Sequence, residues 1–160
     1  MMETGNLTGR CTCGALSYRL TQAPMFVQCC HCTWCQRETG SAFAVNAMIE
    51  TACLAISGTP QMVTLDSASG KGQRVLRCAD CGTAIASHYG AAGDAIAFVR
   101  VGTLDNPAAC PPAIHVHTAS RLPWVVLGDD RPAVPGYYNP REVWPPEAQA
   151  RFKALRAHNP

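Results

Sequence analysis

The sequence predicts a mainly β domain with short helices and one C-terminal helix. Three observations predict it. Short apolar runs recur between Gly, Pro, Ser and Asp breakers, only two segments carry helix signals, and the cysteines stand in closely spaced sets that a metal ion can tie together. The 160 residues fit one domain, and 48% hydrophobic against 15% charged content excludes a disordered chain. Residues 1–140 are expected to form a zinc domain, with 141–160 a helical extension of it.

The strand candidates are ALSYRL (15–20), FAVNAMI (43–49), CLAISG (53–58), QMVTLD (61–66), QRVLRC (73–78), TAIASHY (83–89), AIAFVRVGTL (95–104) and AIHVHT (113–118). SASGKG (67–72) reads as a hairpin loop. TWCQRE (33–38) suits a short helix ended by Gly40. A Pro-rich connection over 132–146 leads into the tail helix, 145–158. Pro146 and Glu147 suit the start of that helix, and Lys153, Arg156 and His158 its end. Its apolar stripe is read as Ala150, Phe152 and Leu155, enough for a surface helix packed on the domain or on a partner.

No apolar run reaches the roughly 20 residues of a membrane span. The first ten residues lack a basic segment followed by an apolar one, so a cytoplasmic, reducing setting is expected. Clustered cysteines there read as metal ligands or reactive thiols before disulfides. The formal charge of +2 counts every cysteine as neutral. Four thiolates on one zinc carry two net negative charges and three on another carry one, which brings the chain to about −1. With no Lys/Arg run either, a nucleic-acid partner is not expected.

Seven of the ten cysteines form three motifs: Cys11-x-Cys13, Cys30-x-Cys32-x-x-Cys35 and Cys78-x-x-Cys81. The last, followed by Gly82, has the shape of a zinc knuckle, which supplies two of the four ligands a tetrahedral zinc needs. In an extended segment Cys11 and Cys13 face the same way and complete a closed, structural site. Cys30 and Cys32 share a face and a helical turn returns Cys35 to them, giving three ligands and an open fourth position, the catalytic pattern. Other arrangements stay open: either set without metal, or Cys29 completing a second closed site. Cys53 and Cys110 are expected as small buried hydrophobes, and Cys29 in the core or behind the ligands. His31 is expected behind the ligands too, His115 and His117 as a half-buried pair on one strand face, and Trp34 and Phe43 as apolar walls of the site.

GRCTCGALSY, CCHCTWCQRETGSAF, RCADCGTAI, VGTLDNP and HVHTASRLPW, in that order, resemble the glutathione-dependent formaldehyde-activating enzyme family, which also includes centromere protein V. The resemblance runs from about Gly9 to Trp124. It implies an Mss4-like fold of twisted antiparallel sheets. It also implies a structural zinc on Cys11, Cys13, Cys78 and Cys81, and a catalytic zinc on Cys30, Cys32 and Cys35. The implied activity is that of a carbon–sulfur lyase joining glutathione and formaldehyde reversibly as S-(hydroxymethyl)glutathione. Arg77 stands where the family has an aromatic, and the helix 147–157 lies beyond the resembling region.

On that reading the expected partners are a small thiol such as glutathione and a small aldehyde, with no membrane and with a homodimer as the candidate assembly. Arg37 suits a substrate carboxylate through its planar fork, and equally a solvated helix position. Gly40 backbone and Ser41 can offer it hydrogen bonds. His115 matches the family's strand and is a candidate for substrate contact or proton transfer. Two other classes compete: a zinc-stabilised binding module, and a thiol-redox or metal-handling protein using Cys29–Cys35 itself.

Overall fold

The computed structural model describes residues 7–128 and 130–158. Among the described residues, ten strands build two sheets. Strands β1 (Leu7–Arg10), β2 (Ser17–Leu20) and β5 (Leu54–Ser57) form a small antiparallel sheet in the order β1-β2-β5. The larger sheet has the order β10-β3-β4-β9-β8-β7-β6. Its strands are β3 (Phe26–Cys30), β4 (Ala44–Glu50), β6 (Pro60–Leu65), β7 (Gln73–Cys78), β8 (Ala84–Tyr89), β9 (Ile96–Arg100) and β10 (Ile114–Val116). The architecture is mainly β, of the Mss4-like type. One pairing departs from the all-antiparallel expectation: β10 runs parallel to β3, with His115 opposite Cys29 and Val116 opposite Cys30.

The central strands are buried on both faces, which is why Phe26–Cys30 and Ile96–Arg100 carry no exposed residue. Strand alternation sorts their side chains. Ala47, Ile49, Ala97 and Val99 join Leu16, Tyr18, Leu20 and Ile85 in a core that includes the small sheet's residues. Met48, Ile96 and Phe98 turn to the opposite face and meet Phe26, Trp144 and Ala148. The two faces therefore do different work: one makes the core, and the other carries a second apolar cluster and the cavity described below.

Helix α1 (Thr33–Thr39) follows β3 directly and ends at Gly40, whose left-handed φ of 64° closes it. The 67–72 segment is a hairpin loop, with Gly70 and Gly72 at positive φ between β6 and β7. A four-residue helix α2 (Pro140–Val143) precedes the C-terminal helix α3 (Pro146–His158). The stripe of α3 differs from the one expected. Ala150 is exposed, and Ala148, with Phe152 and Leu155, meets the second cluster. Positions 148, 152 and 155 share one side of a 3.6-residue period, whereas 150 and 152 do not. A bidentate ion pair from Arg151 to Glu50 fastens this helix to β4, with Nε 2.7 Å from one carboxylate oxygen.

Two strands were not expected from the sequence, β1 and β3. Cys53, expected buried, is half-buried and receives a hydrogen bond from Gln22; Cys110 is fully buried.

Candidate functional site

Two tight turns, far apart in sequence, bring Cys11, Cys13, Cys78 and Cys81 together with all four sulfurs within 4.8 Å of one another. The Cys11–Cys13 segment is a turn, not the extended piece expected: Cys11 N–H donates to Leu16 O at 2.9 Å and Gly14 takes φ 80°. The second turn repeats the device, with Cys78 N–H donating to Thr83 O at 3.0 Å and Gly82 at φ 74°. A hydroxyl pair, Thr12 with Thr83 at 3.0 Å, joins the turns. Sulfur separations of 3.4 Å for Cys11–Cys13 and 3.8 Å for Cys13–Cys78 suit a tetrahedral ion with bonds of about 2.3 Å. Hydrogen bonds from Thr12 and Thr83 hold the Cys81 thiol down to about 5. This set can hold a metal ion.

The second set lies where β3 passes into α1. Cys30 ends the strand, Cys32 caps the helix with its sulfur accepting the Cys35 N–H at 3.3 Å, and Cys35 sits one turn in. Their three sulfurs also lie within 4.8 Å of one another. Left as thiols they cannot all ionise. Hydrogen bonds from Cys30 and Cys35 hold Cys32 down to about 2, while the bond to Cys32 pushes Cys30 far above the ordinary thiol range. Sulfurs this close oppose one another's ionisation, and a cation between them would relieve that opposition. The donor set thus fits a soft divalent metal.

These three cysteines line a cavity of about 520 Å³. Its floor is the second face of the large sheet, with Asn46, Met48, Phe98 and Arg100. Trp34 stands on one side, Ser67–Ser69 of the hairpin loop on another, and Trp144 with Phe152 of the C-terminal segment on a third. Arg100 is buried at 6% exposure; it donates to Asn46 Oδ1 and, at 2.7 Å, to Ser87 Oγ. Gln28 accepts from the hydroxyls of Tyr137 and Tyr138, which ties the Pro-rich connection to β3.

The residues expected to bind substrate are placed elsewhere. Arg37, Gly40 and Ser41 are exposed at the far end of α1 and do not line this cavity. His115 is buried behind it, its Nδ1 3.1 Å from His31 Nε2, which is 3.6 Å from Cys29 Sγ. Those three side chains occupy the other face of β3 and β10 and form a third set within metal-ligand distance. Phe43, expected as a wall, packs on His31 with ring centroids 5.4 Å apart. His115 and His117 are not a pair on one face. His117 adopts a left-handed φ of 55° just past β10, which breaks the strand alternation and turns its ring to Tyr137 and the cavity. Neither His117 nor Arg100 carried a sequence signal, because one depends on a single backbone angle and the other on which face of β9 is wet.

Arg77, the departure noted before the knuckle, is explained by position: it pairs with Glu38 of α1 and donates to Gly82 O at 3.1 Å, linking the two cysteine regions.

The model of the glutathione-dependent formaldehyde-activating enzyme family matches residues 6–120. Among solved structures, a Rhodobacter sphaeroides protein shares 17% identity over 79% of this chain and 99% of that one, with a TM-score of 0.45. A search of curated proteins finds no match. The match to the family model takes in all seven clustered cysteines and most of the β framework: the chain belongs to the glutathione-dependent formaldehyde-activating enzyme family.

Proposed function

We propose that this protein is a zinc-dependent carbon–sulfur lyase of the S-(hydroxymethyl)glutathione synthase type, making or breaking the adduct of a thiol and an aldehyde. The observation that carries the reading is the convergence of Cys30, Cys32 and Cys35 on the wall of a cavity, three donors with space on the remaining side. Cys11, Cys13, Cys78 and Cys81 would hold a second, structural zinc.

A zinc ion on the three thiolates would supply Lewis acidity and favour the thiolate form of a bound thiol. The reaction balances without an oxidant: the C–S bond forms, the C=O bond becomes C–OH, and the thiol proton ends on that oxygen. The chain's own part is to bind and orient. Trp34, Met48 and Phe98 give the cavity apolar surface, and Gln28, Asn46, Arg100 and His117 are among the polar side chains that line it. Cys32 at the helix cap and Cys35 inside the helix keep the sulfur triangle rigid. The cytoplasm is the expected place of action.

The test is to incubate the zinc-loaded chain with glutathione and formaldehyde and follow adduct formation by NMR, beside Cys32→Ser. Adduct formation faster than the uncatalysed rate, lost in the variant, supports the reading. A rate no faster than the uncatalysed one on the unaltered, zinc-loaded chain, with glutathione and with an aromatic thiol alike, contradicts it.

A further inference from the structure

The lining of the cavity beside Cys30, Cys32 and Cys35 bears on which thiol it takes. Its walls are dominated by Trp34, Met48, Tyr89, Phe98, Trp144 and Phe152. The rings are fixed against one another: Tyr89 meets Phe98 edge-on at 4.8 Å, and Trp144 meets Phe152 at 5.3 Å. At about 520 Å³ the space falls in the range of roughly 300–1,000 Å³ that holds a small organic ligand.

Charge is scarce there. Among the described residues Arg100 is the one lysine or arginine that lines the cavity, and it makes no ion pair with a carboxylate. Asn46 and Ser87 hold its two terminal nitrogens, while its buried Nε makes no hydrogen bond. The single carboxylate of the lining, Glu38, is taken by Arg77. Glutathione carries two carboxylates and an ammonium. The lining thus offers fewer charged partners than glutathione carries charges, and each unmatched group would need solvent or an uncharged polar side chain to offset its desolvation.

We propose that the cavity selects a thiol–carbonyl adduct whose bulk is aromatic or comparably apolar and which presents one anionic oxygen to Arg100. The inference rests on the reading of Cys30, Cys32 and Cys35 as the reacting centre. Arg100 is then a specificity residue, and the ring walls supply affinity through area and edge-to-face contact.

The test uses the zinc-loaded full chain and three probes in titration calorimetry: 2-sulfanyl-3-phenylpropanoate, 3-phenylpropanoate and glutathione. The aromatic thiol is expected to bind at least about tenfold more tightly than glutathione. The thiol-free 3-phenylpropanoate is expected to bind measurably, and Arg100→Met to weaken both aromatic carboxylates by about tenfold or more with zinc content unchanged. Arg100→Lys, which keeps the charge, is expected to weaken them less. Glutathione binding as tightly as the aromatic thiol overturns the proposal and leaves the lyase reading standing. So does unchanged affinity of both aromatic probes in Arg100→Met. If 3-phenylpropanoate binds through Arg100 and the added thiol gains nothing, the cavity assignment stands and the lyase reading fails. The ranking of probes on the unaltered chain holds whether or not either variant folds.

Discussion

Gly9 on β1 leaves no space for a side chain: a Cβ there would sit 2.3 Å from the Tyr18 ring and 2.6 Å from Thr103 O. Tyr18 cannot yield, because it is 3% exposed and its hydroxyl meets Thr103 at 2.7 Å. Gly9→Ala should therefore cost about 2–4 kcal/mol in denaturant unfolding; a loss below about 0.5 kcal/mol would show the ring free to move. Arg77 tests a different kind of contact. Its bridge from the knuckle to Glu38 of α1 is partly buried, so Glu38→Gln should cost about 1–2 kcal/mol, read the same way. An unchanged unfolding midpoint would mean the pair is only a surface contact. At this scale the cysteines were the legible part: seven residues at short spacings announce two donor sets by themselves. His117 and Arg100 were not legible. Sequence holds no mark of a left-handed backbone angle at a non-glycine residue, and an arginine at the end of an apolar strand looks like a residue leaving the core.

The elements repeat that lesson with different physics. Strands with turn chemistry at both ends, such as 73–78 and 84–89, could be read directly. β3 could not. Its five buried residues include two cysteines, and their metal-ligand signal masks the strand signal of Phe26 and Val27. The C-terminal helix is legible from its caps, whereas its buried face, through Ala148, Phe152 and Leu155, is set by the sheet it packs on. Its tie to the sheet gives a pH prediction. Burial alone would raise the Glu50 carboxyl; the Arg151 guanidinium overrides this and holds it below the ordinary value. A lowered folded pKa means that the stability is fully present above the unfolded value of roughly 4.3 and is lost as pH falls through the lower folded value. Glu50→Gln should flatten that acid-side loss and cost about 1–2 kcal/mol at neutral pH. Parallel unfolding curves against pH for both proteins would contradict it.

For the molecule as a whole, the two turns that gather Cys11, Cys13, Cys78 and Cys81 join the start of the small sheet to the end of β7. The sulfurs of Cys13 and Cys78 meet across 65 positions of sequence. A structural zinc there would contribute on the order of 10 kcal/mol to folding, comparable to the roughly 5–15 kcal/mol net stability of a typical domain. Cys78→Ser is accordingly expected to give insoluble or unfolded protein, checked by circular dichroism and solubility; a soluble, folded variant would refute the structural role. The cavity was out of reach of sequence reading for a reason of scale. Its walls come from β3, β4, β9, the 67–72 loop and the C-terminal segment at once, so no local pattern encodes it.

The most direct test of the division into one closed and one open metal site is zinc content per chain, measured on protein purified under reducing conditions, with and without Cys32→Ser. Serine keeps the helix cap that Cys32 supplies, so the variant should fold. Two zinc ions per chain are expected to fall to one in the variant. One zinc in both proteins would contradict this, and would leave Cys30, Cys32 and Cys35 as bare thiols beside the cavity.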